Sequence, residues 1–281
     1  MTTNIRSVNE FSYDGTARVS SLTAIRELVN FRECIWSFAA RSFRVRYKQT
    51  ALGMAWAVLQ PLAFLAIFVA FFGGIAHIKG GGASYAAAAL AALVPWTFVS
   101  NGVSFGGDSL IADGDLIRKV YFPREAPVLG AIISYTPDFV IGLVLFMLAA
   151  PLTHAHLSWW LAFVPVLFVL LALPTVAIAL PLAALSVYYR DFKYALPFAI
   201  QLWLFASPVA YPVTQISSGW RWVYALANPV VGVLDAFRHT MAVGTAPAWD
   251  LLGLSVASGT ILLVVGYRVF KQLEREFADV I

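Results

Sequence analysis

Two uncharged stripes carry the side chains best suited to handling a ligand. Trp56, Gln60, Phe64, Phe68 and Phe72 recur at steps of four, and Tyr194, Phe198, Gln201 and Phe205 at steps of four, three and four. Side chains at that spacing share one face of a helix. Aromatic faces stack on the C–H faces of sugar rings, and an intramembrane glutamine bonds hydroxyls. A lining of this kind lets a polyhydroxylated chain slide without tight binding at any point; helix–helix packing is the other reading of the same stripes. Asp138 is a third candidate, the one acid deep inside an apolar stretch, directly after Thr136-Pro137. Carboxylates in hydrocarbon are costly and often functional. No cation in its own or another span is an obvious partner. A proton or substrate role therefore stands beside a structural one, in which Asp138 faces a polar cavity or bonds a neighbouring helix near the Pro137 break.

Other chemistry is excluded. No Lys follows a Gly, so the Gly-Lys-Ser/Thr core of a phosphate-binding loop is missing and this chain cannot energise transport through one. No His/Glu/Asp cluster has metal-ligand spacing, no Ser/His/Asp set is evident, and Cys34 is alone, which removes any internal disulfide or Cys-based metal site. We therefore expect no catalytic, cofactor-binding or metal-ligating residues. His154 and His156 fall in an expected outer loop, where they are solvated.

The elements that position these residues are apolar helices. At 281 residues, 60% hydrophobic and 12% charged, the chain lies far from the soluble average of about 25% charged. A membrane crossing takes about 20 apolar residues. Such runs are expected at about 51–77, 85–106, 126–150, 157–187, 194–209 and 251–267. Residues 223–234 are apolar but too short to cross, and Pro229 interrupts them, so 212–244 reads as an outer re-entrant helical hairpin. Residues 1–20 form a polar tail with no leading apolar segment, so no cleavable signal peptide is expected. From 22 to 48, Leu28, Phe31, Ile35, Phe38, Ser42 and Val45 recur at helical spacing, with Trp36 widening the apolar arc and Arg41, Arg44 and Lys48 on another face. That pattern describes an amphipathic helix at the membrane surface.

Charge fixes the orientation. With the N-terminus inside and six crossings, only Lys79, Arg221 and Arg238 of the nineteen Lys and Arg fall outside. Positive charge on the cytoplasmic side is the rule for inner-membrane proteins. The high isoelectric point is therefore topological, and no nucleic-acid partner is expected. The fold class is an all-α polytopic membrane protein: a tail and interface helix at 1–50, a six-span domain at 51–271 with a charged inner loop at 108–125 and the outer hairpin at 212–244, and a cytoplasmic tail at 272–281.

Five segments carry a family resemblance: RYKQTALGMAWAVLQPL (46–62), KVYFPREAPVL (119–129), LSVYYRDFKY (185–194), SPVAYP (207–212) and ANPVVGVLDAFR (227–238), in that order. The chain resembles the permease subunits of ABC-2-type polysaccharide exporters, which handle O-antigen, capsule and teichoic acid chains. The resemblance implies a homodimer in the bacterial inner membrane, both termini cytoplasmic, above two copies of a separate subunit that holds ATP and Mg. It implies docking to that subunit through Leu110, Asp113, Asp115, Leu116, Arg118, Lys119, Tyr121 and Phe122, with a second contact at Arg190 and Asp191. The two stripes would line the channel, the N-terminal helix would bound its inner entrance, and Trp220, Arg221, Trp222, Asn228, Pro229, Asp235 and Arg238 would form an outer gate. The expected cargo is a lipid-linked polysaccharide, with O-antigen leading. A lipid or drug-like cargo is the alternative within transport, and a polytopic glycosyltransferase the alternative among enzymes; the latter should cluster acids or histidines near a membrane face.

Overall fold

A computed structural model describes residues 28–48, 53–114, 116, 122–189, 191–275 and 277. Every element among them is helical: α1 (Arg32–Lys48), α2 (Trp56–Phe68), α3 (Tyr85–Ala112), α4 (Glu125–Ile133), α5 (Thr136–Ala149), α6 (Val164–Tyr188), α7 (Phe192–Phe205), α8 (Ser218–Ala227), α9 (Val231–Arg238) and α10 (Trp249–Glu274). Five stretches are long and apolar enough to cross a membrane: Gly53–Ile75, Tyr85–Ala112, Glu125–Ala149, Trp159–Tyr188 and Trp249–Glu274. The helix within the expected fifth crossing, α7, has 14 residues on its own. At about 1.5 Å per residue it falls short of roughly 30 Å of hydrocarbon.

The centre of the bundle is α3. From Ala87 to Val94 every side chain is at most 2% exposed, so this helix is apolar all round because neighbours surround it. Ser84 caps its start, accepting from the Ala87 amide at 3.2 Å and donating to the Thr153 carbonyl. Helices α6, α4, α5 and α9 pack around it, and α10 closes the far side of α6. Phe98, Phe139, Phe168 and Phe237 interlock between them, with ring centroids 4.6–6.2 Å apart.

α3 is longer than the sequence reading expects. It runs through Gly106 and Gly107 to Ala112, taking up residues 108–112 of the expected inner loop. Helix termination waits for Asp113-Gly114, the next pair with turn chemistry. Leu110 is consequently fully buried, and Phe122 is 4% exposed with its ring 5.2 Å from that of Phe38. Both side chains, expected at the docking surface, face the interior of the protomer.

The N-terminal helix α1 lies against α4. Phe38 and Ala39 are buried there, with Phe31, Cys34 and Ile35 packed beside them. Gly130 permits the approach: a Cβ at that position would come within 2.5 Å of the Phe38 Cβ and 3.1 Å of the Ile35 carbonyl oxygen. Trp36, Arg41, Arg44 and Lys48 point away and are exposed.

Between α7 and α10 the chain makes two short helices joined at Asn228-Pro229, a helical pair within the expected hairpin. α9 is buried along its whole length. α8 leaves Trp220 and Trp222 more than half exposed.

Candidate functional site

The C-terminal end of α1 and the break between α4 and α5 build a polar cluster. The Arg46 guanidinium donates to Asp138 Oδ2 at 2.6 Å and to both the carbonyl and the hydroxyl of Ser134 at 2.8 Å. Its flat face covers the Tyr135 ring at 3.5 Å, a cation–π contact. The Tyr47 hydroxyl donates to the other Asp138 oxygen at 2.5 Å. Burial and the adjacent carboxylate push the Tyr47 phenol well above its ordinary range, so it stays a donor. Asp138 thus has a cationic partner, supplied by the interface helix rather than by any span.

The sequence contained a signal for this pairing. Arg46 stands four residues after Ser42 and eight after Phe38, which places it on the packed stripe of α1 rather than on the face shared by Arg41, Arg44 and Lys48. A cation on an apolar stripe, set against an isolated acid in an apolar span, is a complementary pair. Ser134 and Tyr135 gave no comparable sign, because their part depends on the turn that separates α4 from α5.

Beside this cluster opens a cavity of about 240 Å³. Its walls come from the end of α1, from Trp56 and Gln60 on α2, from Thr97, Asn101 and Phe105 on α3, and from Tyr135, Asp138 and Phe139. The first stripe is therefore divided. Trp56 and Gln60 face the cavity, whereas Phe68 is 2% exposed and Phe64 and Phe72 are half-buried against the core. Centroids of 6.3 Å and 5.4 Å link these three phenylalanines in edge-to-face contacts. For them, helix–helix packing is what the structure shows. On α7 the stripe is open: Tyr194, Phe198, Gln201 and Phe205 are all exposed.

Of the expected docking residues, Asp113 ends α3 and takes a 2.6 Å ion pair from Arg41. Burial lifts its carboxyl above the usual range, against the pull of that arginine. Leu116 and Asp191 are exposed. Asp115, Arg118, Lys119, Tyr121 and Arg190 lie outside the described residues. Adjoining this region, buried Glu125 pairs with Lys271 of α10 at 2.6 Å and accepts from the Tyr267 hydroxyl at 3.1 Å.

The residues expected at the outer gate divide between surface and interior. Arg221 donates to the carbonyls of Ile216 and Thr214, at 2.8 and 3.0 Å, and ties off the start of α8. Asn228 is buried; its amide donates to the Ala206 carbonyl and the Ser207 hydroxyl, each at 3.0 Å, and its oxygen accepts from the Trp203 indole at 3.2 Å. Asp235 and Arg238 are 4% and 3% exposed. Arg238 donates to the carbonyls of Pro208 at 2.8 Å, Val209 at 3.2 Å and Ala88 at 3.3 Å. These last two residues sit inside the bundle.

Among the described residues no group of His, Cys, Asp and Glu is arranged to hold a metal ion. The arrangement offers a helical membrane body, a half-polar cavity at the entry to the first span, an exposed aromatic face on α7 and charged ties at Asp113 and Glu125.

Comparison with known proteins agrees with this architecture. The chain is 27% identical to an O-antigen export system permease protein, RfbA, of Myxococcus xanthus, over 91% of this chain and 98% of that one. It is 24% identical to the RfbA permease protein of Klebsiella pneumoniae, over 86% and 92%. The polysialic acid transport protein KpsM of Escherichia coli is 23% identical over 83% and 91%. The profile of the ABC-2 type transporter family matches residues 33–242. Together with five membrane-length helices in an all-helical fold, a match over three quarters of the sequence places the chain: it belongs to the ABC-2 type transporter family.

Proposed function

We propose that this protein is the membrane-spanning permease of an ATP-driven exporter that moves a lipid-linked polysaccharide, with O-antigen the leading cargo, across the bacterial inner membrane. The observation that carries the reading is similarity along nearly the whole length to permease proteins of O-antigen export. Two copies of the chain form the path, above two copies of a separate ATP-binding subunit that supplies ATP and Mg chemistry. The permease contributes path, selectivity and gating, and no covalent chemistry of its own. Six crossings leave both termini in the cytoplasm, with α7 and the turn after it making the fifth. The exposed α7 face, Tyr194, Phe198, Gln201 and Phe205, lines the channel together with Trp56 and Gln60. Trp220 and Trp222 on α8 stand at its outer end.

Docking on the ATP-binding subunit is carried by the segment around Leu116 and Tyr121 and by Arg190 and Asp191. Deleting the gene should leave polysaccharide on its lipid carrier inside the cell, measured by fractionation and carbohydrate staining, and restoring the gene should return it to the surface. Unchanged surface polysaccharide in the deletion strain would overturn the reading. Leu116→Ala combined with Tyr121→Ala should cut export about tenfold while ATP hydrolysis by the complex persists, since each tenfold corresponds to about 1.4 kcal/mol of lost coupling. Export retained at the parental rate would refute docking there.

A further inference from the structure

The cavity beside Arg46 and Asp138 is lined for a particular kind of ligand. Its charges are already spent on each other. Arg46 is engaged by Asp138, by Ser134 and by the Tyr135 ring, and Asp138 by Arg46 and Tyr47. The two amides on the opposite walls are in the reverse position. Neither the Gln60 nor the Asn101 side chain bonds to any described residue. Each presents one carbonyl acceptor and two N–H donors. Trp56 and Phe105, 55% and 53% exposed, supply aromatic faces beside them.

We propose that this cavity is a subsite for one uncharged saccharide unit of the transported chain, hydrogen-bonded by Gln60 and Asn101 and stacked on Trp56 or Phe105. The inference rests on the export reading and deepens it, by naming where inside a single protomer the cargo is held. Neutral hydroxyls match free amide donors and acceptors. A phosphate does not fit, because the guanidinium that could hold it is already engaged by Asp138, Ser134 and the Tyr135 ring. A cationic lipid headgroup would need the Asp138 charge that Arg46 takes. At about 240 Å³ the space lies below the roughly 300 Å³ at which pockets for drug-sized ligands begin. It therefore admits one ring and not an extended segment. Holding one unit at a time is compatible with sliding, since a chain of similar rings offers the next occupant as the last one leaves.

Photocrosslinking in living cells tests the subsite on the complete transporter. Phe105 is replaced by p-benzoyl-phenylalanine, an aromatic-for-aromatic change at a half-exposed position, and a second strain carries the same residue at Asn101. After irradiation the permease is recovered and probed by periodate labelling for carbohydrate and by phosphorus analysis for lipid. A carbohydrate adduct from either position is expected, and adding Gln60→Ala should lower it at least fivefold at equal permease abundance in the membrane. Absence of carbohydrate from both positions, in a strain whose export depends on the gene, overturns the subsite and leaves the export reading standing. A phospholipid adduct without carbohydrate overturns it in favour of a lipid occupant. A deletion strain that exports normally overturns the export reading itself.

Discussion

Arg46 and Asp138 stand 92 positions apart, and each is expensive alone in apolar surroundings. Together with Tyr47 and Ser134 they satisfy one another, so the value of each depends on the other being present. Arg46→Met should destabilise the purified permease, Asp138→Leu likewise, and the double substitution should cost less than the sum, with a coupling energy of about 1–3 kcal/mol in detergent unfolding. Simple additivity would mean that the contact carries no energy. Asp138→Asn keeps an acceptor for Tyr47 and should retain more stability than Asp138→Leu. The sequence displayed both charges and not their meeting. Asp138 announces itself by isolation within a span, whereas Arg46 hides among seven other basic residues of the first 48, and only helical phase separates it from the solvated ones. Gln60 was legible as a polar member of a stripe; Asn101, in a helix whose other side chains are mostly core, was not.

At the scale of elements, close approach decides what α1 does. Amphipathic spacing foretold a helix at the membrane surface. That it would seat itself on α4 required Gly130, whose role emerges only when a second helix is brought within touching distance. Gly130→Val should lever α1 away. Cys34 reports the outcome, since burial holds its thiol above the ordinary range and thereby suppresses the reactive thiolate. Maleimide labelling of Cys34 should accelerate roughly tenfold in Gly130→Val, corresponding to about 1.4 kcal/mol of overpacking; an unchanged rate would show that α1 does not depend on this seat. The hinge between α8 and α9 makes a parallel case. Asn228 anchors it to the turn after α7, and Asn228→Ala strips the buried Ser207 hydroxyl and the Trp203 indole of their partner, while the Ala206 carbonyl keeps the Tyr224 hydroxyl. A loss of about 2 kcal/mol in unfolding free energy is expected. Pro229 made the break between short helices visible in the sequence. Which carbonyls the neighbouring asparagine would serve depended on where α7 stops; Ser207-Pro208 marks that point, yet the expected span runs through it to 209.

For the whole molecule, the helices were legible because membrane-length apolar runs leave few alternatives, while their ends were not: α3 and α10 both carry charged residues beyond the expected stops. Tertiary ties explain the extensions. α10 persists to Glu274 because Lys271 reaches the buried Glu125 carboxylate and Glu274 at 2.6 and 2.7 Å, so a charged last turn packs rather than frays. Lys271→Met leaves Glu125 buried without its cation and should cost about 3–5 kcal/mol, whereas Lys271→Met with Glu125→Leu should recover most of it, read from thermal unfolding of the intact permease. Equal losses in the single and double variants would assign the effect to packing alone. The tie joins α10 to the first residue of α4, three positions after Phe122, so the last span and the start of α4 are held together through one ion pair.

Arg238 carries a consequence for how the protein is made. Its guanidinium serves three backbone carbonyls, two of them in the turn after α7 and one in the first turn of α3. Those oxygens precede the arginine by 150, 30 and 29 positions. The Ala88 carbonyl already has its helical partner, but those of Pro208 and Val209 lack this donor until residue 238 is in place, and water must satisfy them meanwhile. The junction between the start of α3 and the turn after α7 is therefore completed only when α9 arrives, with Arg238 as the bolt.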